Sequence, residues 1–321
     1  MFISVIIPSY NRSKTLKKTI ESVLAIDYPP NQYELIVVDN CSTDDTRQVV
    51  EASEHLSDIK ITYLFEVRPG VHFARNMAIK HAAGTWLYYT DDDMVVDSGV
   101  FKAFEKLLRV REGIAVASGQ VLPIWTVEPP PWVTRIMQNS LLSLQLREEV
   151  VLVSPRDPGV YSCHQFVRKD VLVDCGGFDP ENTAGEWVGD GETGLNLRIE
   201  QAGHFFGYTS EARAFHLIPP ERMTQRWLNQ RFMNQACADV FTSFRDVRPD
   251  IARLRRDQIK SIISAARALI GAVLTWVKRS DGWRVKFAKV YYEYGRHCFL
   301  ERLLKDPKFR DYVLKESFLD D

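Results

Sequence analysis

Four short runs rich in valine, isoleucine and tyrosine govern what this chain can become, because each leads into a polar segment and then an amphipathic one. Residues 4–7 (closed by Pro8), 34–39, 59–64 and 85–89 have the length and composition of buried strands. Between them, Leu16, Ile20, Val23 and Leu24 recur at helical spacing. A second helix runs towards His55, with Ser42 or Thr43 as its expected cap, and a third spans residues 73–83 before Gly84. Such alternation predicts an α/β fold, a Rossmann-like and mainly parallel sheet flanked by helices. Ligands of open sheets of this kind bind outside the carboxyl ends of the strands.

Those ends carry Tyr10-Asn11, Asp39-Asn40 and the triplet Asp91-Asp92-Asp93. Three adjacent carboxylates at a strand end repel one another, and unpaired charges are rarely buried. Two readings of the triplet stay open. A solvated turn is one, since Asp is common in turns; a divalent cation, which favours carboxylate oxygens and bridges to phosphates, is the other. There is no GxGxxG after the first strand, so the usual dinucleotide fingerprint is missing.

The net charge of −1 gives no global basic field of the kind nucleic-acid binding needs. Five scattered cysteines without a CxxC pair argue against a disulfide framework or structural zinc and fit a reducing cytosol. The N-terminal residues have no basic n-region and read as a first strand.

Further along, residues 99–111 read as a helix and 114–121 as a strand. A proline-rich loop, 125–132, holds Trp125 and Trp132, either as packing aromatics or as a platform for a sugar face. Residues 159–167 resemble a strand, Gly176-Gly177-Phe178-Asp179 a tight turn, and 193–202 a helix entered through the acidic stretch Glu186, Asp190 and Glu192. Two short strands are expected at 205–208 and 212–216, the second ending in His216 before an arginine-rich loop where a phosphate and metal site could be completed. Beyond Asp250 the pattern is helical. Ile259, Ile262, Ile263, Ala266, Leu269, Ile270, Val273, Trp276 and Val277 form an apolar face whose longest uncharged run falls short of the ~20 residues of a spanning helix. The expectation is a helix packed on the catalytic part, with peripheral membrane contact as the alternative.

Six segments in order, residues 5–12, 34–44, 70–78, 91–93, 176–179 and 191–198, resemble family 2 of the glycosyltransferases, nucleotide-diphospho-sugar transferases of GT-A fold. The resemblance covers residues 1–230. It implies a nucleotide-sugar half (1–118), an acceptor and catalytic half (119–230) and a C-terminal helical extension (231–321). Pro8 and Tyr10 resemble residues lining the base, Asp39 the acid that hydrogen-bonds it, and Arg75 a base- or phosphate-side contact. Asp91 and Asp93 match the DxD signature, Asp91 towards ribose and metal and Asp93 on the metal, Mg²⁺ or Mn²⁺. His216 resembles a further metal ligand and Arg222 a diphosphate contact. The family's general base would be Glu192, with Asp190 as the fallback, and single displacement implies inversion. Asp92, facing the other way by alternation, is expected to be structural.

The implied reaction moves a sugar from a nucleotide-diphospho-sugar, a UDP-sugar first among the candidates, to a glycan or lipid-linked acceptor in polysaccharide, glycolipid or glycoconjugate synthesis. It implies a cytoplasmic enzyme, soluble or peripheral at the inner face of the membrane. Two other readings stand beside it, a nucleotidyltransferase on a sugar phosphate and a non-catalytic sugar-nucleotide-binding protein. The first wants a glycine-rich, cationic loop after the opening strand, and Ser9-Tyr10-Asn11-Arg12-Ser13 has no glycine. The second wants a vacant base position, which Glu192 and Asp190 fill.

Overall fold

The structure, a computed structural model, describes residues 1–136, 139–180 and 191–319. The expected alternation opens it as β1 (Ile3–Ser9), α1 (Ser13–Leu24), β2 (Tyr33–Asp39), α2 (Thr46–Glu54), β3 (Lys60–Phe65), α3 (Val71–His81) and β4 (Trp86–Thr90). There follow β5 (Met94–Val96), α4 (Val100–Leu108), β6 (Ile114–Trp125), α5 (Pro131–Ile136), β7 (Leu152–Ser154), β8 (His164–Arg168) and α6 (Lys169–Asp174). The chain closes with α7 (Gly191–Gln201), β9 (Phe205–Ile218), α8 (Gln225–Val247), α9 (Ile251–Val277), α10 (Trp283–Lys305) and α11 (Pro307–Val313).

One sheet takes the order β3-β2-β1-β4-β8-β6-β9-β5, with β7 on β9. Pairing among β1 to β4 is parallel, as short strands joined by helices require. The later strands make the sheet mixed, since β8 runs against both β4 and β6 while β5 and β7 run against β9. Alternation along β1 builds two cores. Ile3, Val5 and Ile7 face Leu16, Ile20, Phe101 and Phe104, whereas Ile6 faces Ala74, Ala78, Leu195 and Ile199 across the sheet.

Several local expectations change. Ser42 and Thr43 do not cap α2; the Asp44 carboxylate accepts the Thr46 N–H (3.1 Å) and the Ser13 N–H (2.9 Å), so one acid holds the starts of two helices. The strand expected at 159–167 is confined to His164–Arg168. The strand expected at 114–121 runs on to Trp125, whose partner is Ile218. The two strands foreseen at 205–208 and 212–216 are one, β9, interrupted where Thr209 pairs with Gly119 and Arg213 with Gln120. The residues between bulge outwards, and Ala212 comes so close to Gly119 that no Cβ fits there. Trp132 is a packing residue: it is buried in a cluster with Met223, Leu228 and Ala288, under the Arg284 guanidinium at 4.7 Å.

The helices beyond β9 form their own layer. α10 lies between α8 and α9, and Cys237, Phe241, Leu254, Phe299 and Leu303 fill the space between them. α9 is long and apolar enough, by length and composition, to cross a membrane. Its long aliphatic face does not pack on the catalytic part, contrary to expectation. Ile262 (58% exposed), Ile270 (61%) and Trp276 (62%) point away from the molecule, and Leu254, Ser261 and Ala272 face α10 instead.

After α11 the chain returns to the site half. Phe318 N–H donates to Gly176 O (2.8 Å), and Leu319 presses on Gly177. Gly176 and Gly177 have φ of 79° and 72°, and the tail leaves no space for a Cβ on either. The Asn76 amide joins the two segments: Nδ2 donates to Phe178 O (2.7 Å) and Phe318 O (3.3 Å), and Oδ1 accepts from Phe178 N–H (2.9 Å).

Candidate active site

The carboxyl ends of β1, β2 and β4 are stitched together by their own loops. Asn11, held at φ 52°, accepts the Thr43 N–H (2.7 Å) and donates its own N–H to Ser42 Oγ (2.9 Å). The Asp39 oxygens take the Ser42 N–H and the Tyr63 hydroxyl, each at 2.8 Å. The buried Asn40 amide accepts the Gly70 N–H (2.7 Å), which fixes the entry to α3. Pro8 lies buried within β1 opposite Val38, while Tyr10 stands 58% exposed at the rim.

The triplet's three carboxylates have three different fates. Asp92 is buried, accepting from Ser9 Oγ (2.9 Å) and Arg12 Nη1 (3.0 Å). Burial pushes it up to about 6, against the pull of Arg12 and with help from Asp93. Asp91 is part exposed and takes Arg75 Nη2 at 2.8 Å. Asp93 is buried and accepts from Arg12 Nη1 (2.9 Å) and Arg222 Nη2 (2.8 Å), with His216 Nε2 at 3.6 Å. Burial raises the Asp93 carboxyl, but His216 and the two guanidinium groups outweigh it and hold the group well below the usual carboxylate range.

Sheet register explains the meeting of Asp93 and His216. The short strand β5 starts directly after the triplet and runs antiparallel to β9, so Met94 sits opposite His216. Leu217 N–H then donates to Asp93 O at 2.9 Å. His216 Nδ1 lies 2.8 Å from Leu142 O, which can only accept; Nδ1 therefore carries the proton, and the Nε2 lone pair faces Arg222 Nη1 (2.6 Å) and Asp93. A neutral imidazole backed by a carbonyl, next to a carboxylate, fits two ligands of a divalent cation. The third expected ligand does not join them: Asp91 turns to Arg75, and no cluster of three acidic, histidine or cysteine ligands forms among the described residues.

α3 and α7 close the far side. His72 stacks on Phe178 (5.1 Å) and accepts from Arg75 Nη1 at 3.1 Å, and burial together with Arg75 keeps its imidazole uncharged. Gly191 lies so close to the His72 ring that only glycine fits. This contact sets the start of α7, where Glu192 accepts from the buried Ser162 hydroxyl at 3.2 Å. Asp190 lies outside the described residues. The Cys163 thiol is pushed up by burial and then by Asp91, Glu192 and Asp93, so all three acids are gathered around one buried sulfur.

Two cations belong to this group although sequence reasoning assigned them no part. Arg12 follows β1 and bridges Asp92 and Asp93. Arg231, one turn into α8 beyond Trp227, has a buried Nε without a partner among the described residues. Burial lowers its proton affinity, Glu192 opposes that, and Arg222 adds to it. The helical spacing of Arg231 after the arginine-rich loop was the available signal.

The profile of glycosyl transferase family 2 matches residues 4–172. Poly(ribitol-phosphate) beta-N-acetylglucosaminyltransferase TarS of Staphylococcus aureus is 34% identical over 102 residues, 32% of this chain and 18% of that protein, so the match spans under a fifth of that relative. Glycosyltransferase AglE of Haloferax volcanii is 26% identical over 68% of each chain. The fold resembles that of the mannosyltransferase PcManGT from Pyrobaculum calidifontis, solved with GDP-Man and Mn²⁺, at TM-score 0.60 and 18% identity over 92% of this chain and 87% of that one. It also resembles TarS residues 1–349 with UDP-GlcNAc, at 0.51 and 16% over 94% and 91%. At these identities the likeness is one of fold, that of the GT-A glycosyltransferases.

Proposed function

The chain belongs to glycosyl transferase family 2, and from that premise we propose that it is an inverting, divalent-cation-assisted transferase of a sugar from a nucleotide-diphospho-sugar to an acceptor hydroxyl in cell-envelope polysaccharide or glycoconjugate synthesis. One observation carries the reading: Asp93, His216 Nε2, Arg12 and Arg222 converge beyond the carboxyl ends of β1 and β4. Carboxylate, imidazole lone pair and guanidinium groups together suit a cation and a diphosphate in one place.

In this reading Tyr10, Pro8 and Asp39 receive the base, and Arg75 holds Asp91 towards the ribose. Asp93 and His216 would hold Mg²⁺ or Mn²⁺, which supplies charge stabilisation to the leaving diphosphate when bound. Arg222 and Arg12 share that task, being within reach of the same carboxylate that they would release to the diphosphate. Glu192 takes the acceptor hydroxyl's proton, the hydroxyl oxygen bonds to the anomeric carbon from the face opposite the diphosphate, and the anomeric C–O bond breaks with inversion. Residues 1–118 serve the donor, 119–230 the acceptor and 231–321 form the helical extension. The donors in TarS and PcManGT complexes, UDP-GlcNAc and GDP-Man, support a nucleotide sugar, with a UDP-sugar as our first choice. A glycan or lipid-linked acceptor follows from the relatives' names, and five free cysteines suit the cytoplasm.

Glu192→Gln should bind UDP-sugar in calorimetry as the wild type does while transfer falls by about 10²–10⁴-fold. Asp93→Ala should lose Mn²⁺-stimulated donor hydrolysis. Full transfer by the Gln variant would move the base elsewhere, and hydrolysis unchanged by Asp93→Ala would remove the cation from the site.

A further inference from the structure

α9 is built inside out for a helix of a water-soluble surface. It places Ser261 and Ala272 against α10 and turns Ile259, Ile262, Ile270, Val273, Leu274 and Trp276 outward, each 52–62% exposed. This continuous stripe is far more than the scattered apolar residues of an ordinary surface. Charge around it is equally one-sided. Residues 251–289 hold ten arginines and lysines against two aspartates, in a chain whose net charge is −1. One of those aspartates, Asp257, is already matched by Lys260 at 3.2 Å. Beside the stripe, Arg267 of α9 and Lys286 and Lys289 of α10 line a groove of about 520 Å³ floored by Phe232, Gly271 and Tyr292. Glu293 at its edge pairs with Arg296 at 3.6 Å.

We propose that α9 lies in the plane of a membrane surface, its Ile262/Ile270/Val273 face among the acyl chains and Arg267, Lys286 and Lys289 on the phosphates of anionic lipid. Apolar insertion and cationic attraction are the two components of interfacial binding, and here they occupy adjoining strips of one surface. A second copy of the chain is the poorer occupant, because pairing this face with itself brings two strongly positive surfaces together. A spanning helix is excluded by geometry: Leu254, Ser261 and Ala272 stay seated on α10, and Arg267 sits midway along the helix. The inference goes beyond the transferase reading and does not depend on it, since it uses no residue of the site.

The experiment is flotation of the full chain with phosphatidylcholine vesicles, with and without a third of phosphatidylglycerol. Binding to the anionic vesicles is expected, weakened by salt. Arg267→Gln/Lys286→Gln/Lys289→Gln should weaken it by at least about tenfold, and Ile262→Glu/Ile270→Glu should abolish it. All five side chains are exposed, so thermal unfolding and UDP binding should match the wild type and separate lost docking from lost folding or lost donor recognition. Absence of flotation with anionic vesicles overturns the proposal. So does a dimer in sedimentation velocity that the glutamate variant dissociates, which would assign the face to a second copy, and so does resistance to carbonate extraction, which would make the helix a span.

Discussion

Asp92 and Asp93 are adjacent, equally buried and bonded to the same guanidinium group, yet their proton affinities diverge. Asp92 has one cation and a neighbouring carboxylate; Asp93 has two cations and an imidazole. Folding therefore raises Asp92 from 3.8 to about 6 and lowers Asp93. The raised group contributes stability that is complete below its unfolded value and lost as pH rises through about 6. The depressed group contributes above the ordinary carboxylate range, and that part is lost as pH falls through its folded value. Asp92→Asn should thus flatten urea stability between about pH 4 and 6, recovering at most about 1–3 kcal/mol at neutral pH relative to the wild-type trend. A wild-type slope retained in the variant would place that titration on another residue. Strand alternation alone distinguished Asp92 from its neighbours in the sequence. Arg12 was not legible, because its reach to Asp92 and Asp93 depends on how β1 and β4 lie side by side.

At the scale of elements, β9 and α9 show what periodicity does and does not encode. The alternation in 205–208 and 212–216 was readable, but the continuity through the bulge depends on Gly119 in a different strand. For α9, the sequence displayed an apolar face, and a face says only that something other than water suits it. The missed signal was on the opposite side, where Ser261, Ala265, Ala268 and Ala272 recur at helical spacing and form a surface small enough for close approach to another helix. Ala272→Leu should therefore overpack the α9–α10 contact and lower stability by about 1–3 kcal/mol in urea melts. Ile270→Gln, on the outward face, should stay within about 0.5 kcal/mol of wild type. The reverse ranking would mean that the apolar face is the one packed.

Over the whole molecule, the parallel first half and its rim of Tyr10, Asp39 and the triplet followed from local pattern, whereas the second half did not. β6, β8 and β9 enter the sheet out of chain order, and the partner of each is set by residues far away in sequence. The same holds for the chain's last described residues, which cross back to the turn after α6. That return has a consequence for exchange of amide hydrogens with solvent. Phe178 and Phe318 lie outside regular strands and helices, where amides ordinarily exchange within the fast range. Each here donates inside the molecule, Phe178 to the Asn76 side chain and Phe318 to Gly176 O, and Asn76 touches both segments. The two amides should be protected like sheet amides and should lose protection together, within about tenfold of each other, when Asn76 is changed to alanine. Deuterium uptake followed by NMR would read this directly, and rapid independent exchange at Phe318 would show that the tail opens without the turn. Under that coupling the tail and the turn behind the sugar-transfer site unfold as one unit, although they lie at opposite ends of the catalytic half and the helical layer.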